Sequence, residues 1–529
     1  MSDRLAELDG RELSRDLDLE ADVVIVGSGP AGAAVARVTA RGGAKVIVLE
    51  EGPELDGPAP DGFSAMTRFY RDMGTSVLMG RAPIPFLQGR VLGGTSVVNG
   101  AISWRLPRDV FEEWVRADPR LGESLRYEEI ESRTETIEAE LGIAPTPPAV
   151  AGAKNLLVAA AAEKLGWSHR PIARNVIGCK ASGRCLEVCP NGAKSSMDRT
   201  YLRDAKGSGA RIYTSLEVRR IEHERGVARG VVATTQHGTK VRVGARRAVV
   251  LAASAVGSPA LLMRSGLGGP LVGHGFQCHP GVSMAARFPH SVTAWVGATQ
   301  GHEVIAFRKE GIKIEVLGYD PSILLLRTKG VGRALARDAE ELDRFINLGA
   351  AVRAEAVGRV SLGLFGGTRV SYALTDRDLA KIRRGLRLMG ELLLEAGASE
   401  VLPGVFGFDE RITERSRLST LESEGPRDPR AYALAVTHMF ATARMGSDPS
   451  RSVVRPDFRH HQLDRLYVAD SSVFPSNTGV NPQTSILALA TLCGESVLGD
   501  LRSSPSREPR TQGDEACDAK PDQDPRIDP

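Results

Sequence analysis

Residues 22–26 (DVVIV) form a continuous apolar run, the pattern of a short strand buried on both faces. Gly27-Ser28-Gly29-Pro30-Ala31-Gly32 follows, and Ala33 to Arg41 reads as a helix of small residues. Lys45 to Leu49 (KVIVL) is a second buried strand, closed by Glu50. Strand, glycine turn, helix and strand within about 30 residues is the setting that a dinucleotide fingerprint requires. From Arg211 to Ser254 the pattern changes to alternation, with turns at Arg225-Gly226 and His237-Gly238, and predicts an antiparallel meander. Ala380 to Ala396 carries Leu and Ile at helical spacing. Ile486 to Leu492 is an apolar run behind Pro482, a residue suited to the first turn of a helix. Residues 503–529 are polar and proline-rich and are expected to be disordered. No repeat of fixed period is present.

Composition narrows the function classes. The 529 residues are 42% hydrophobic, enough for a large core. Lys plus Arg is 68 and Asp plus Glu is 65, and the resulting charge of +3 gives no electrostatic case for nucleic acid. Aromatic content of 5% argues against an extended sugar- or base-stacking surface. The 57 glycines lack a collagen period, so they point to tight turns and close backbone approaches. No stretch of about 18 uncharged apolar residues occurs, so no membrane insertion is expected. Met1 to Glu20 has no apolar signal-peptide region. Of the cysteines, Cys179, Cys185 and Cys189 cluster, while Cys278, Cys493 and Cys517 are scattered. That usage suits a reducing compartment, and a cytoplasmic location is expected.

In the fingerprint, Gly27 permits the tight turn, Gly29 lets the backbone approach a pyrophosphate, and Gly32 lets helix and strand pack closely. The helix N-terminus adds N–H groups and a positive dipole end. Glu50 stands where a carboxylate accepts from both ribose hydroxyls, and it would repel a 2′-phosphate, which disfavours NADP. The fingerprint alone does not separate FAD from NAD.

Three further segments do. Residues 89–102 (GRVLGGTSVVNGAI), 254–268 (SAVGSPALLMRSGLG) and the stretch 437–490, with THMFATARMG, YVADSSVFPSNTG and VNPQTSILALA, complete a pattern. Together with the fingerprint, they resemble the glucose–methanol–choline (GMC) flavoprotein oxidoreductases from about Asp22 to Leu501. The C-terminal segment looks most like the cholesterol oxidase and long-chain alcohol oxidase branches. The first signature fits through Asn99 and then departs, with Ser103 at an aromatic or Ala position and Trp104 one residue late. The resemblance implies FAD as cofactor, with contacts from Gly94, Asn99, Gly100 and Ile102, from the backbone of Val218, and from Asp470, Ser471 and Gln483. It implies an α/β (α+β) fold with a Rossmann-like FAD-binding domain over 20–280 and 452–502. A sheet-and-helix substrate domain is expected over 281–451.

The resemblance also implies the chemistry, oxidation of an alcohol to a carbonyl. The hydroxyl proton must leave while a hydride passes from carbon to flavin N5, and a neutral imidazole is the natural acceptor for that proton. His438, before the ATARMG turn, matches the family's histidine, and Asn481 matches a partner position that is His or Asn. An asparagine cannot act as a base, but it can orient the hydroxyl. His274 and His279 are the next candidates for the base. A histidine of ordinary pKa would make the rate rise with pH through the histidine range. A helix starting at Pro482 would aim its positive end at the flavin. The expected substrate is a bulky, secondary-metabolite or sterol-like alcohol, with O2 or another electron acceptor. The alternatives are a lyase of the same fold that uses FAD structurally, and a flavin-dependent binding or scaffold protein.

The cluster Cys179-x5-Cys185-x3-Cys189-Pro190 has neither ferredoxin spacing nor a nearby fourth ligand, so it is read as structural packing or a facultative disulfide rather than an iron–sulfur or zinc site.

Overall fold

The computed structural model describes residues 4–325, 328 and 331–503. The tail beyond Ser503, including Cys517, lies outside the described residues. Two sheets organise the chain. The first has eight strands, in the order Leu8–Asp9, Arg211–Thr214, Val46–Leu49, Leu17–Val26, Lys240–Leu251, Val227–Thr234 and Glu217–Glu224, with Leu466–Val468 also pairing Lys240–Leu251. Val23 to Val26 and Val46 to Leu49 are buried throughout, as their unbroken apolar runs require. The strand Leu17–Val26 is longer than the apolar run, because its first half pairs in parallel with Val241 to Ala245 and is partly exposed.

The expected meander is present over three strands, Glu217–Glu224, Val227–Thr234 and Lys240–Leu251. Arg211–Thr214 is not part of it. This strand pairs in parallel with Val46–Leu49, because the helix Tyr201–Gly207 returns the chain to the same end of the sheet. Ser254 likewise leaves the meander and opens the helix Ser254–Arg264.

The helix of the glycine motif runs Pro30–Arg41, three residues earlier than its small-residue pattern suggests, because Pro30 occupies its first position. It packs against the C-terminal helix Gln483–Ser503. That helix is the described element long and apolar enough to cross a membrane by length and composition, but half of its most apolar window is buried inside the protein. Gly494 lies against Val38, where a Cβ would come within 2.9 Å of the valine side chain.

The second sheet has eleven strands around the long strand His274–Arg287. Phe345–Val352 pairs along one edge of it, and Leu434–Phe440 and Glu400–Leu402 also pair with it, all antiparallel. Beyond Phe345–Val352 lie Ile312–Leu317, His302–Val304 and His169–Pro171. The helix Asp376–Glu395 packs on this sheet. It starts before the predicted Ala380 because Thr375 and Asp378 form a capping box. The seam expected between residues 280 and 281 falls inside the strand His274–Arg287. Val77–Met79, Ile84–Pro85 and His169–Pro171, all from the N-terminal half, also join the second sheet. A strand's pattern shows which residues are buried, but not which sheet it will enter.

Close approach at the glycine turn is a strict requirement. A Cβ on Gly32 would stand 1.9 Å from the Gly27 carbonyl oxygen, a backbone atom that cannot step aside. Gly32→Ala is therefore expected to push the helix Pro30–Arg41 off the sheet and destabilise the protein by about 1–3 kcal/mol or more. Thermal denaturation checks this, and an unchanged Tm would contradict it.

Candidate active site

One cavity of about 790 Å³ runs from the glycine turn to the second sheet. Gly27, Gly29, Glu50, Gly94, Asn99, Gly100, Ile102, Val218, His438, Asp470, Ser471, Asn481 and Gln483 all line it. Gly32 does not. It packs against Gly27 beneath the turn, the close-packing role its place in the motif predicts.

Glu50 organises the cradle. Its Oε2 accepts from Ser28 N–H (3.0 Å) and Ser28 Oγ–H (2.5 Å), and its Oε1 accepts from Gly52 N–H (2.7 Å). Burial raises its pKa against the pull of these donors. Ser28 Oγ in turn accepts from Gly93 N–H at 3.0 Å, which brings the 93–102 loop onto the fingerprint. Gly94 has φ 57°, and a Cβ there would reach within 2.7 Å of Gly29 Cα. Two backbones thus meet without side chains between them, a cradle shaped for a pyrophosphate. Asn99 Nδ2 donates to Gln483 Oε1 (2.5 Å) and its Oδ1 accepts from Ala101 N–H (3.0 Å), so its amide orientation is fixed. Lys194, fully buried, donates to the carbonyls of Val97, Asn99 and Cys185 and ties this loop to the cysteine loop. Cys179 and Cys189 are half-buried and Cys185 is buried, all with free thiols. Among the described residues no three His, Cys, Asp or Glu side chains converge to hold a metal.

At the other end of the cavity, His438 on the strand Leu434–Phe440 and Asn481 before the C-terminal helix meet, with Asn481 Nδ2 3.4 Å from His438 Nε2. The sequence reading placed these two together, and the fold brings them within reach of one small atom. Burial, and then the charge of Lys313, push the His438 pKa down to about 3.

Several neighbours were not assigned from the sequence. His279, named there only as a fallback, lies with Nδ1 3.2 Å from His438 Nδ1, and its Nε2 accepts from Gly479 N–H at 2.9 Å. That amide places the hydrogen of neutral His279 on Nδ1 and the hydrogen of His438 on Nε2. The alternative, with hydrogens on His279 Nε2 and His438 Nδ1, offers the His438 Nε2 lone pair to the cavity and requires the Gly479 amide to turn away. Lys313, on Ile312–Leu317, donates to Asn481 Oδ1 (2.6 Å) and pairs with Glu303 (2.8 Å) and Glu315. Trp104 Nε1 donates to Glu303 (2.9 Å), which gives the displaced tryptophan of the first signature a partner. Alternation in IKIEVL was the available signal. It sets Lys313 and Glu315 on one face, but such a face ordinarily meets solvent.

A pyrophosphate cradle continuous with a buried imidazole–amide pair is an arrangement suited to a dinucleotide-dependent oxidoreductase. The chain belongs to the GMC oxidoreductase family, whose N-terminal domain matches residues 22–281 and whose C-terminal domain matches residues 359–490, and its cofactor is FAD. It is 37% identical over 478 residues to an uncharacterized GMC-type oxidoreductase of Mycobacterium tuberculosis, covering 89% of this chain and 74% of that protein. It is 27% identical over 521 residues to a long-chain-alcohol oxidase of Arabidopsis thaliana, covering 89% of this chain and 66% of the plant protein. The fold matches formate oxidase of Aspergillus oryzae with a TM-score of 0.71 at 15% identity, over 92% of this chain and 99% of that one.

The depressed pKa replaces the expectation of a rate rising through the ordinary histidine range. A histidine whose pKa is lowered to about 3 is neutral at every pH above it, so no protonation of His438 intervenes near neutrality. The rate of flavin reduction should stay flat between about pH 5 and 8 as far as His438 controls it. Stopped-flow reduction across that range checks this, and an acid limb centred near the ordinary histidine value would count against it.

Proposed function

We propose that this protein oxidises an alcohol carbon, CH–OH, to a carbonyl, with the hydroxyl held between His438 and Asn481. The convergence of these two side chains at 3.4 Å, at the inner end of the cofactor cavity, carries the reading. FAD when bound supplies the hydride acceptor. For His438 to take the hydroxyl proton at Nε2 its own hydrogen must sit on Nδ1, which requires His279 Nε2 to give up the Gly479 amide, while Asn481 Nδ2 donates to the substrate oxygen. The lowered pKa leaves His438 neutral at physiological pH, with a lone pair to accept the proton, and also makes it a weak base.

The space beside the pair favours a bulky, partly apolar alcohol. Gly281, Gly349, Ala351 and Ala435 carpet the sheet face with small residues, and Phe86, Val282, Leu317, Val370 and Met439 supply apolar walls. Similarity to a long-chain-alcohol oxidase agrees with such a substrate. A panel of primary and secondary alcohols added anaerobically tests the reading through bleaching of the flavin, with O2 uptake and dye reduction measured in parallel to identify the acceptor. A flavin left oxidised by every alcohol, together with cleavage of a cyanohydrin, would instead establish a lyase.

His438→Ala should keep FAD and slow flavin reduction by about 10² to 10⁴, the range for losing a positioned acid–base group. Asn481→Ala should lower the reduction rate and weaken substrate affinity together, because it releases the alcohol from its orientation. Single-turnover reduction at saturating alcohol measures both effects. Near-native reduction in His438→Ala would exclude it as the base.

A further inference from the structure

We propose that Lys313 is the positioning residue of the pair, holding Asn481 Oδ1 so that the amide presents only its Nδ2 hydrogens to the reacting oxygen. This rests on the reading that His438 and Asn481 clasp the substrate hydroxyl. A lysine ammonium has three hydrogens to donate and no lone pair to accept with. Lys313 Nζ meets three acceptors, Glu303 Oε2 at 2.8 Å, Glu315 Oε1, and Asn481 Oδ1 at 2.6 Å, and its side chain is 1% exposed. The chemistry therefore fixes which end of the amide faces the lysine. Nδ2 is left facing His438 Nε2.

The ammonium is itself held in place. Glu303 Oε1 accepts from Arg170 Nε (2.7 Å), and its Oε2 also takes the Trp104 indole N–H. Glu315 Oε2 accepts from Gln300 Nε2 at 2.8 Å. The charged and titratable groups around the pair are thus Lys313, Glu303, Glu315, Arg170, His279 and His438, with Arg353 against the Asn477–Gly479 turn. An amide released from Lys313 can rotate by half a turn and point a carbonyl oxygen at the substrate oxygen. That oxygen gains negative charge as its proton leaves, so the turned amide would oppose the reaction where the pinned amide assists it. The cation adds to the same effect from one hydrogen bond further away.

Lys313→Met alone would leave Glu315 unpaired, so the test uses the charge-balanced Lys313→Met/Glu315→Gln holoenzyme, in which Glu303 keeps Arg170 and Trp104. Glu315→Gln alone is the reference. Anaerobic flavin reduction is followed with 1-dodecanol, or with the panel alcohol that reduces the wild type fastest. The double variant is expected to retain FAD and to reduce about 10- to 100-fold more slowly than the reference at saturating alcohol, the scale of a misplaced reacting group. Its acid limb should also move to higher pH, since a cation beside His438 has gone. In an Asn481→Ala background the same change should cost less than about threefold, because a residue that acts through Asn481 has nothing left to position. A flavin-loaded double variant with the rate of the reference overturns the proposal, as do losses that simply multiply with Asn481→Ala. If the double variant is colourless, Lys313→Arg decides. It keeps the charge but moves the donors, so a slowed reduction supports the proposal and an unchanged rate overturns it. An Asn481→Ala enzyme as fast as wild type would instead overturn the reading of the pair itself.

Discussion

The Asp470 carboxylate, buried at the end of the strand Leu466–Val468, accepts hydrogen bonds from Ser254 N–H, Ser258 Oγ–H and Ser472 N–H. These contacts tie the C-terminal turn to the helix that leaves the dinucleotide sheet. The same turn then receives the chain that carries the histidine, through Ala441 N–H to Ser471 O, Ala443 N–H to Ser472 O and Met445 N–H to Val473 O. The strand bearing His438 is thereby fastened to the sheet that cradles the cofactor. That junction joins the two ends of the cavity, which the strands Val77–Met79, Ile84–Pro85 and His169–Pro171 also link. An error of about 1 Å between reacting groups is enough to cost orders of magnitude in rate. Burial raises the Asp470 pKa, and the hydrogen bonds from Ser258, Ser472 and Ser254 act against that rise.

Electrostatics imposes a second requirement at the far end. Glu303 and Glu315 stand directly opposite each other on neighbouring strands, an arrangement that repels when unmatched. Lys313, two residues from Glu315 on the same face, lies between the carboxylates, and Arg170 completes the balance from the edge strand. Breaking such a buried set by removing one member ordinarily costs about 3–5 kcal/mol, since the remaining charge has neither water nor partner. The same cluster lines the His438–Asn481 end of the cavity through Glu315 and holds Asn481 through Lys313. Gly349 and Ala351, paired across from Glu315 and Lys313, are small and keep the space above the sheet open.

Much of this was legible in the chain. Unbroken apolar runs gave the parallel strands, because a strand covered on both faces tolerates no polar alternation. The spacing of Gly27, Gly29 and Gly32 with the terminal Glu50 gave the cradle, and at Gly27 and Gly32 only glycine allows the backbone distances. Family motifs picked out His438 and Asn481, which the fold then brought together. Local pattern misassigned Arg211–Thr214 to the meander, since its pairing partner lies far away in sequence, and the seam that the family resemblance placed between residues 280 and 281 lies within the strand His274–Arg287.

The sequence by itself therefore determined the fold class and the cofactor cradle, which depend on local spacing and residue type, and its family motifs singled out His438 and Asn481. Only the tertiary structure decided what surrounds that centre. Alternation in Ile312–Leu317 assigns Lys313 and Glu315 to one face, but a period of two says nothing about what that face meets. Here it meets Asn481 and Glu303 instead of water, and His279 meets His438 across an adjoining strand. Burial and the charge of Lys313 lower the His438 pKa, and Lys313 orients the amide, because charge and burial act through space and take no account of separation along the chain.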